Sequence, residues 1–195
     1  MQKLLIALAA AALLTPAAAR ADSEFSVVVQ GGAARYNQSL SGSDTGAAYG
    51  ARLGVLPTPM LGVELGYLGT QNNINESLSE GRLASTLKTN AGYADVRLNI
   101  LPGSVTPYVF GGYGLTWVSG AASSGIPNKT ANTLPFGGGI EGNIGAFKLG
   151  GRFQYNYLFD RINTGTSAAG AGVTADKGGN SDYWNVTVDL GASFR

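Results

Sequence analysis

The stretch Tyr183–Phe194 alternates between two chemically different sets of side chains. Apolar side chains occupy one set of positions, namely Trp184, Val186, Val188, Leu190, Ala192 and Phe194. Small or polar side chains occupy the other set, namely Asn185, Thr187, Asp189, Gly191 and Ser193. Because successive side chains of a β-strand point to opposite faces, the alternation predicts a strand rather than a helix. The apolar face of such a strand packs on the core of a water-soluble sandwich, whereas in a transmembrane barrel it contacts lipid.

The composition argues against an ordinary soluble domain. Only 13% of the 195 residues are charged, and 30 are glycine, whereas soluble domains contain about 25% charged residues and about 7% glycine. The chain has no cysteine, which excludes a disulfide framework and a thiolate zinc site. Its formal net charge of +1 indicates no nucleic-acid partner.

Residues 1–21 have the features of a cleaved secretory signal peptide. Lys3 gives the segment its positive start, an apolar run follows it, and residues 19–21 read Ala-Arg-Ala, a small-residue cleavage site before Asp22. The apolar run is shorter than the roughly 20 residues that a membrane-spanning helix needs. We therefore predict that residues 22–195 form the mature domain.

Seven further stretches of the mature chain read as strands, which gives eight in all. Most alternate clearly, but the fifth, near residues 106–117, is apolar on both faces, so its register stays unassigned. Short turns are predicted at residues 57–59, 101–104 and 145–147, and longer connections at residues 36–45, 69–85, 119–132 and 161–181. Alternating short and long connections are typical of bacterial outer-membrane barrels, whose short turns face the periplasm. The sequence therefore predicts an all-β, eight-stranded, antiparallel up-and-down transmembrane β-barrel.

Three segments carry a resemblance to a known family. Residues 107–114 read Pro-Tyr-Val-Phe-Gly-Gly-Tyr-Gly, residues 135–141 read Pro-Phe-Gly-Gly-Gly-Ile-Glu, and the closing strand ends at Phe194. Together they resemble the small outer-membrane β-barrel family, which includes the transmembrane domain of outer membrane protein A. The resemblance implies a location in the outer membrane, contact with its lipid, and recognition by the barrel-assembly machinery during biogenesis.

The closing strand is the part that this machinery reads in the family. The resemblance implies that the assembly signal here consists of Trp184, Val186, Val188, Leu190 and Phe194. In the family an aromatic residue ends this strand, whereas here Arg195 follows Phe194. Outward aromatic side chains also predict girdles at the two membrane interfaces, with ligand stacking as the alternative; they are Tyr49, Tyr67, Tyr155, Tyr157, Trp184 and Phe194.

The candidate site is the barrel interior, where charged residues fall on the inward faces of the predicted strands. They are Arg52, Glu64, Asp95, Arg97, Glu141, Arg152 and Asp189. Clean faces in the two clearest hairpins predict that Arg52 lies opposite Glu64 and that Glu141 lies opposite Arg152. An eight-stranded barrel is only wide enough for side chains to fill it. The pairs therefore form either a structural plug or the gate of a pore.

Three classes of function follow from this reading. The first is a structural or interaction barrel that presents four external loops, and the second is a narrow channel for small solutes. The third, an enzyme acting on envelope lipid, is disfavoured because the chain lacks the histidine base that such nucleophilic systems use.

We predict no catalytic residue, cofactor or metal. The glycine runs lack the Lys-Ser/Thr of a phosphate loop, and Asp160, Asp176 and Asp182 lack the spacing of a calcium site. The loops identify no specific external partner.

Overall fold

A computed structural model describes residues 23–37, 45–78, 81–119, 129–159 and 182–194. The predicted signal peptide lies outside these ranges. The described part forms eight strands: β1 (Glu24–Tyr36), β2 (Gly46–Leu56), β3 (Leu61–Leu78), β4 (Gly81–Asn99), β5 (Val105–Ser119), β6 (Lys129–Ile144), β7 (Phe147–Leu158) and β8 (Tyr183–Phe194). Among the described residues, no helix is long and apolar enough to cross a membrane.

The strands form a closed barrel in which each pairs antiparallel with its neighbours in sequence. Pairing of β1 with β8, from Phe25 opposite Phe194 to Tyr36 opposite Tyr183, closes the barrel. This confirms the predicted fold class. The short turns at residues 57–60, 100–104 and 145–146 lie at the same end as the start of β1 and the end of β8. We call this the short-turn end.

The two faces of each strand differ in polarity as the alternation predicts. On β8, Val188 is 60% exposed on the outer surface, whereas the neighbouring Asp189 is 3% exposed inside the barrel. On β5, Tyr108 and Phe110 point inward while Val109 points outward. Aromatic rings on the inner face explain why the register of this strand could not be read from its pattern.

Both predicted hairpin registers are wrong by two positions. On β2 and β3 the structure pairs Arg52 with Gly66, so Glu64 lies opposite Gly54. On β6 and β7, Arg152 lies opposite Gly139 instead of Glu141. A shift of two residues leaves every side chain on its original face, because the side-chain period of a strand is also two. Face matching therefore does not distinguish the two registers.

The predicted long connection at residues 69–85 is also wrong. Strand pairing continues from Gly69 opposite Asn90 to Leu78 opposite Gly81, so β3 and β4 extend as one long hairpin. Backbone hydrogen bonds stabilise such a ladder whatever the polarity of its side chains. A polar composition alone therefore does not distinguish a loop from a strand. The predicted connection at residues 161–181 lies outside the described residues, as do most residues of the connections predicted at 36–45 and 119–132.

Candidate functional site: the charged lumen

Charged side chains fill the middle of the barrel interior. All seven predicted lumen residues point inward, and each is at most 4% exposed. They come from six strands: Arg52 on β2, Glu64 on β3, Asp95 and Arg97 on β4, Glu141 on β6, Arg152 on β7 and Asp189 on β8. Glycines lie opposite several of them, for example Gly66 opposite Arg52, and leave room for long side chains. The ring of Tyr93 also occupies the space beside Gly66.

Glu64 is the centre of the network because it contacts three guanidinium groups. Its Oε2 accepts a hydrogen bond from Arg152 Nη1 at 2.8 Å, and its Oε1 accepts one from Arg97 Nη1 at 3.2 Å. Arg52 Nε lies 3.4 Å from Oε2 as a further ion pair. The expected Arg52–Glu64 contact therefore exists, but it runs diagonally rather than between directly opposite residues.

Arg97 and Glu141 form a two-point ion pair. Arg97 Nη1 and Nη2 donate to the two carboxylate oxygens of Glu141, both at 3.1 Å, and Nε donates to Asn99 Oδ1 at 2.8 Å. The guanidinium carbon lies 3.8 Å from the ring centroid of Tyr108. The fork of arginine suits this arrangement because it matches a carboxylate at two points while its face stacks on a ring.

Arg152 binds two carboxylates from neighbouring strands. Its Nη1 donates to Glu64, and its Nη2 donates to Asp95 Oδ2 at 2.6 Å. Its guanidinium carbon lies 3.3 Å from the ring centroid of Phe110. The predicted partner of Arg152, Glu141, is wrong for the same reason as the register: Glu141 lies opposite Gly150 and pairs with Arg97 instead.

Arg52 connects the network to the closing strand. Its Nη2 donates to Asp189 Oδ2 at 2.8 Å, and its Nη1 donates to Gln30 Oε1 at 2.5 Å. Thr187 Oγ1 donates to the other oxygen of Asp189 at 3.0 Å. The carboxylate of Asp189 is thus held from both sides.

Two further charges of the described lumen, Lys148 and Glu24, were missed in the sequence. Lys148 Nζ lies 2.6 Å from Glu24 Oε1 and 2.8 Å from Glu141 Oε1, so it joins β1, β6 and β7 near the short-turn end. The signal was available, because Lys148 lies between the outward Phe147 and Leu149. The turn predicted at residues 145–147 ends just before Lys148, so the alternation that places position 148 inward is not evident there.

A buried cluster of uncharged side chains lies at the end of the lumen away from the short turns. We call this cluster the uncharged layer, and it consists of Ala34, Tyr36, Ala48, Leu68, Ala91, Tyr93, Ala131, Leu158 and Tyr183. The hydroxyls of Tyr36 and Thr89 are hydrogen-bonded, and Thr116 and Thr133 share a hydrogen bond of 2.5 Å. Small, apolar and hydroxyl-bearing side chains therefore cover the charged network at this end.

A cavity of about 210 Å³ lies at the short-turn end. Its polar lining comes mainly from Glu24, Arg97, Asn99, Glu141, Asn143 and Lys148. Part of the charged network therefore forms the wall of this cavity. Within the described ranges, no group of three or more potential metal-binding side chains is close enough to hold an ion.

The comparisons with known proteins agree with this architecture. A family model described as outer membrane protein beta-barrel domain matches residues 4–195. The chain belongs to this family. As a member of the outer membrane protein beta-barrel family it lies in the outer membrane, which confirms the predicted location. No curated protein matches the chain.

Solved structures of small outer-membrane barrels share the fold. Neisserial surface protein A is 15% identical with a TM-score of 0.61, and the match covers 88% of this chain and 97% of that one. The N-terminal barrel domain of Pseudomonas aeruginosa OprF is 14% identical with a TM-score of 0.52, covering 87% and 97%. Ail of Yersinia pestis, solved with the heparin analogue sucrose octasulfate, is 13% identical with a TM-score of 0.52, covering 88% and 97%.

The outer surface of this family member is apolar with aromatic clusters. The rings of Phe136 and Tyr155 are 5.4 Å apart, and those of Phe153 and Trp184 are 6.5 Å apart. Tyr155 also donates a hydrogen bond of 3.1 Å to Asp182. The backbone N–H of Leu158 donates to the other carboxylate oxygen of Asp182 at 3.0 Å. The other two aspartates considered for a calcium site, Asp160 and Asp176, lie outside the described residues. The predicted girdle residues Tyr49, Tyr67, Tyr157 and Phe194 are exposed on the barrel exterior.

Proposed function

We propose that this barrel is a structural and interaction protein of the outer membrane whose lumen is a plug of ion pairs. The observation that carries the proposal is the placement of Glu64 in contact with three guanidinium groups. Each of these arginines also reaches a second carboxylate: Asp189, Glu141 and Asp95. A permeating ion would have to break several buried pairs at once, and each broken pair leaves an uncompensated charge.

The uncharged layer supports the same proposal. An ion leaving the charged network away from the short turns would meet Leu68, Ala131 and Tyr183, which are at most 1% exposed. Apolar constrictions oppose ion passage because they do not replace the hydration shell. With the short turns on the periplasmic side, this layer would lie toward the outside. The barrel would then act through its external connections and be inserted by the barrel-assembly machinery.

Single-channel recording of the refolded barrel in planar bilayers tests this proposal. We expect no discrete current steps from the wild-type protein at neutral pH. A matched variant, Tyr183→Ala, removes one of the three tyrosine rings of the uncharged layer and leaves the ion pairs intact. It should also remain silent if the ion pairs close the lumen. Regular current steps from the wild-type barrel would refute the plug.

A narrow channel is the second candidate, and the cavity at the short-turn end favours it. This cavity of about 210 Å³ already reaches Arg97 and Glu141, so rearrangement of few pairs would lengthen it. In that case wild-type current is expected, and Arg97→Ala should change its amplitude or ion selectivity. An unchanged current in this variant would argue that conduction takes another path.

A further inference from the structure

Glu64 and Asp95 bring two carboxyl groups together inside the barrel. They are direct partners in the β3–β4 ladder, and both point into the lumen. Side chains at such positions have Cβ atoms about 4.5–5.5 Å apart, and like charges placed there destabilise a sheet. The guanidinium of Arg152 contacts both carboxyls, one through each terminal nitrogen. The two carboxyls therefore share Arg152, which is the only ion-pair partner of Asp95 among the described residues.

The charges of the described lumen do not balance if every carboxyl is ionised. The three arginines face four carboxyls, and adding Lys148 and Glu24 adds one charge of each sign. One negative charge is then left without a cation of its own. A buried carboxyl in that position takes up a proton, because the charged form is too costly to keep away from water.

Asp95 has the weakest set of contacts among these carboxyls. Its side chain is 0% exposed, and only Oδ2 is engaged, by Arg152. Oδ1 is buried and has no hydrogen-bond partner within the described residues. By contrast, Glu64 contacts three arginines, and Glu141 contacts Arg97 and Lys148.

We propose that Asp95 binds one proton at neutral pH, so that the Glu64–Asp95 pair carries a single negative charge. Two carboxyls that share a site behave in this way because both cannot ionise at close range. The inference concerns the charge state of the lumen and holds whether or not the barrel conducts.

Charged and titratable groups line the lumen around Asp95. They are Arg52 on β2, Glu64 on β3, Tyr93 and Arg97 on β4, Tyr108 on β5, Glu141 on β6, Arg152 on β7 and Asp189 on β8, with Glu24 on β1 and Lys148 on β7 nearer the short-turn end. The cavity at the short-turn end borders this set, because its wall includes Arg97 and Glu141. Protons would therefore exchange through that cavity.

Infrared difference spectroscopy of the folded barrel, with and without ¹³C-labelled aspartate, tests the proposal. At neutral pH we expect the carbonyl band of a protonated carboxylic acid that shifts with the aspartate label. The band should disappear in Asp95→Asn, and also in Glu64→Gln, because removing the like charge lets Asp95 ionise beside Arg152. It should remain in the control Asp182→Asn, whose carboxyl binds the Tyr155 hydroxyl and the backbone N–H of Leu158 outside the charged network.

A wild-type spectrum without a label-sensitive carboxylic acid band would overturn the proposal, as would a band that persists in Asp95→Asn. The wild-type measurement is decisive even if one of the variants does not fold.

The pH dependence of stability gives a second readout. Relative to Asp95→Asn, the wild type should lose stability as the pH rises from about 4 toward neutral, because an unfolded aspartate gives up its proton in that range whereas the folded Asp95 keeps it. Parallel pH profiles of the two proteins would also contradict the inference.

Discussion

Arg97 and Glu141 face each other across the lumen as a two-point ion pair, with both N–O distances at 3.1 Å. We predict that Glu141→Ala lowers the free energy of unfolding by about 3–5 kcal/mol, because it leaves a buried guanidinium without its main partner. Denaturant unfolding of the refolded barrel in lipid vesicles measures the loss, provided that the transition is reversible and two-state.

A double-mutant cycle separates this pair from the alternative pairing of the same strands. Residues that touch couple by about 0.5–3 kcal/mol, so Glu141→Ala should couple strongly with Arg97→Ala. Coupling with Arg152→Ala should be clearly smaller, since Arg152 contacts Glu64 and Asp95 instead. Stronger coupling to Arg152 than to Arg97 would show that the β6–β7 register in solution differs from the one described.

Lys148 keeps two carboxylates of the lumen from repelling each other. We predict that Lys148→Ala destabilises the barrel at neutral pH because Glu24 and Glu141 lose the ammonium group they share. The deficit relative to wild type should shrink near pH 4, where glutamates begin to take up protons. Unfolding midpoints across this pH range provide the measurement. Lys88→Ala, at an exposed lysine, serves as the control and should stay within about 0.5 kcal/mol of wild type.

Gly112 lies where β5 passes close to the inner face of β4. A Cβ atom at this position would overlap the carbonyl oxygen of Ala94 and lie 2.5 Å from Cβ of Asp95. Gly112→Ala should therefore destabilise the barrel by about 1–3 kcal/mol. The matched control is Gly31→Ala on β1, where a Cβ would meet no atom within 4 Å. Equal unfolding midpoints for the two variants would argue against the close approach.

Phe194 ends the outer face of the closing strand, opposite Phe25. If the barrel-assembly machinery reads this residue, Phe194→Ala should reduce the folded, heat-modifiable protein recovered from cells, and deletion of Arg195 should not. Ile144→Ala is a suitable control, because Ile144 is also apolar and outward-facing, is 74% exposed, and lies at the short-turn end. A similar reduction in this control would mean that the effect reflects lost lipid contact rather than recognition.

The predicted cleavage site of the signal peptide can be tested separately. The Ala-Arg-Ala sequence at residues 19–21 should direct cleavage before Asp22. N-terminal sequencing of the protein extracted from outer membranes should therefore begin at Asp22. Recovery of the membrane-inserted protein with residues 1–21 attached would exclude this site.

Side-chain parity explains both the success and the limits of prediction from the sequence. Alternation places Asp95 and Arg152 inside the barrel because the inward face of a strand is fixed by position alone. Partner identity depends on register, and a slide of two residues changes every partner without changing any face. The two-residue turn at residues 145–146 and closure of the whole barrel select the register. Arg97 rather than Arg152 therefore holds Glu141, and no pattern within one strand carries that information.

The ion pairs of the lumen join segments that are far apart in the chain. Arg52 and Asp189 are separated by 137 residues, and Arg152 and Asp95 by 57. A partly assembled sheet within the bilayer would expose these charges to hydrocarbon without their counterions, which is costly at that depth. Partly formed barrels should consequently be sparsely populated, and insertion and folding should proceed as one cooperative event that is completed when β8 meets β1.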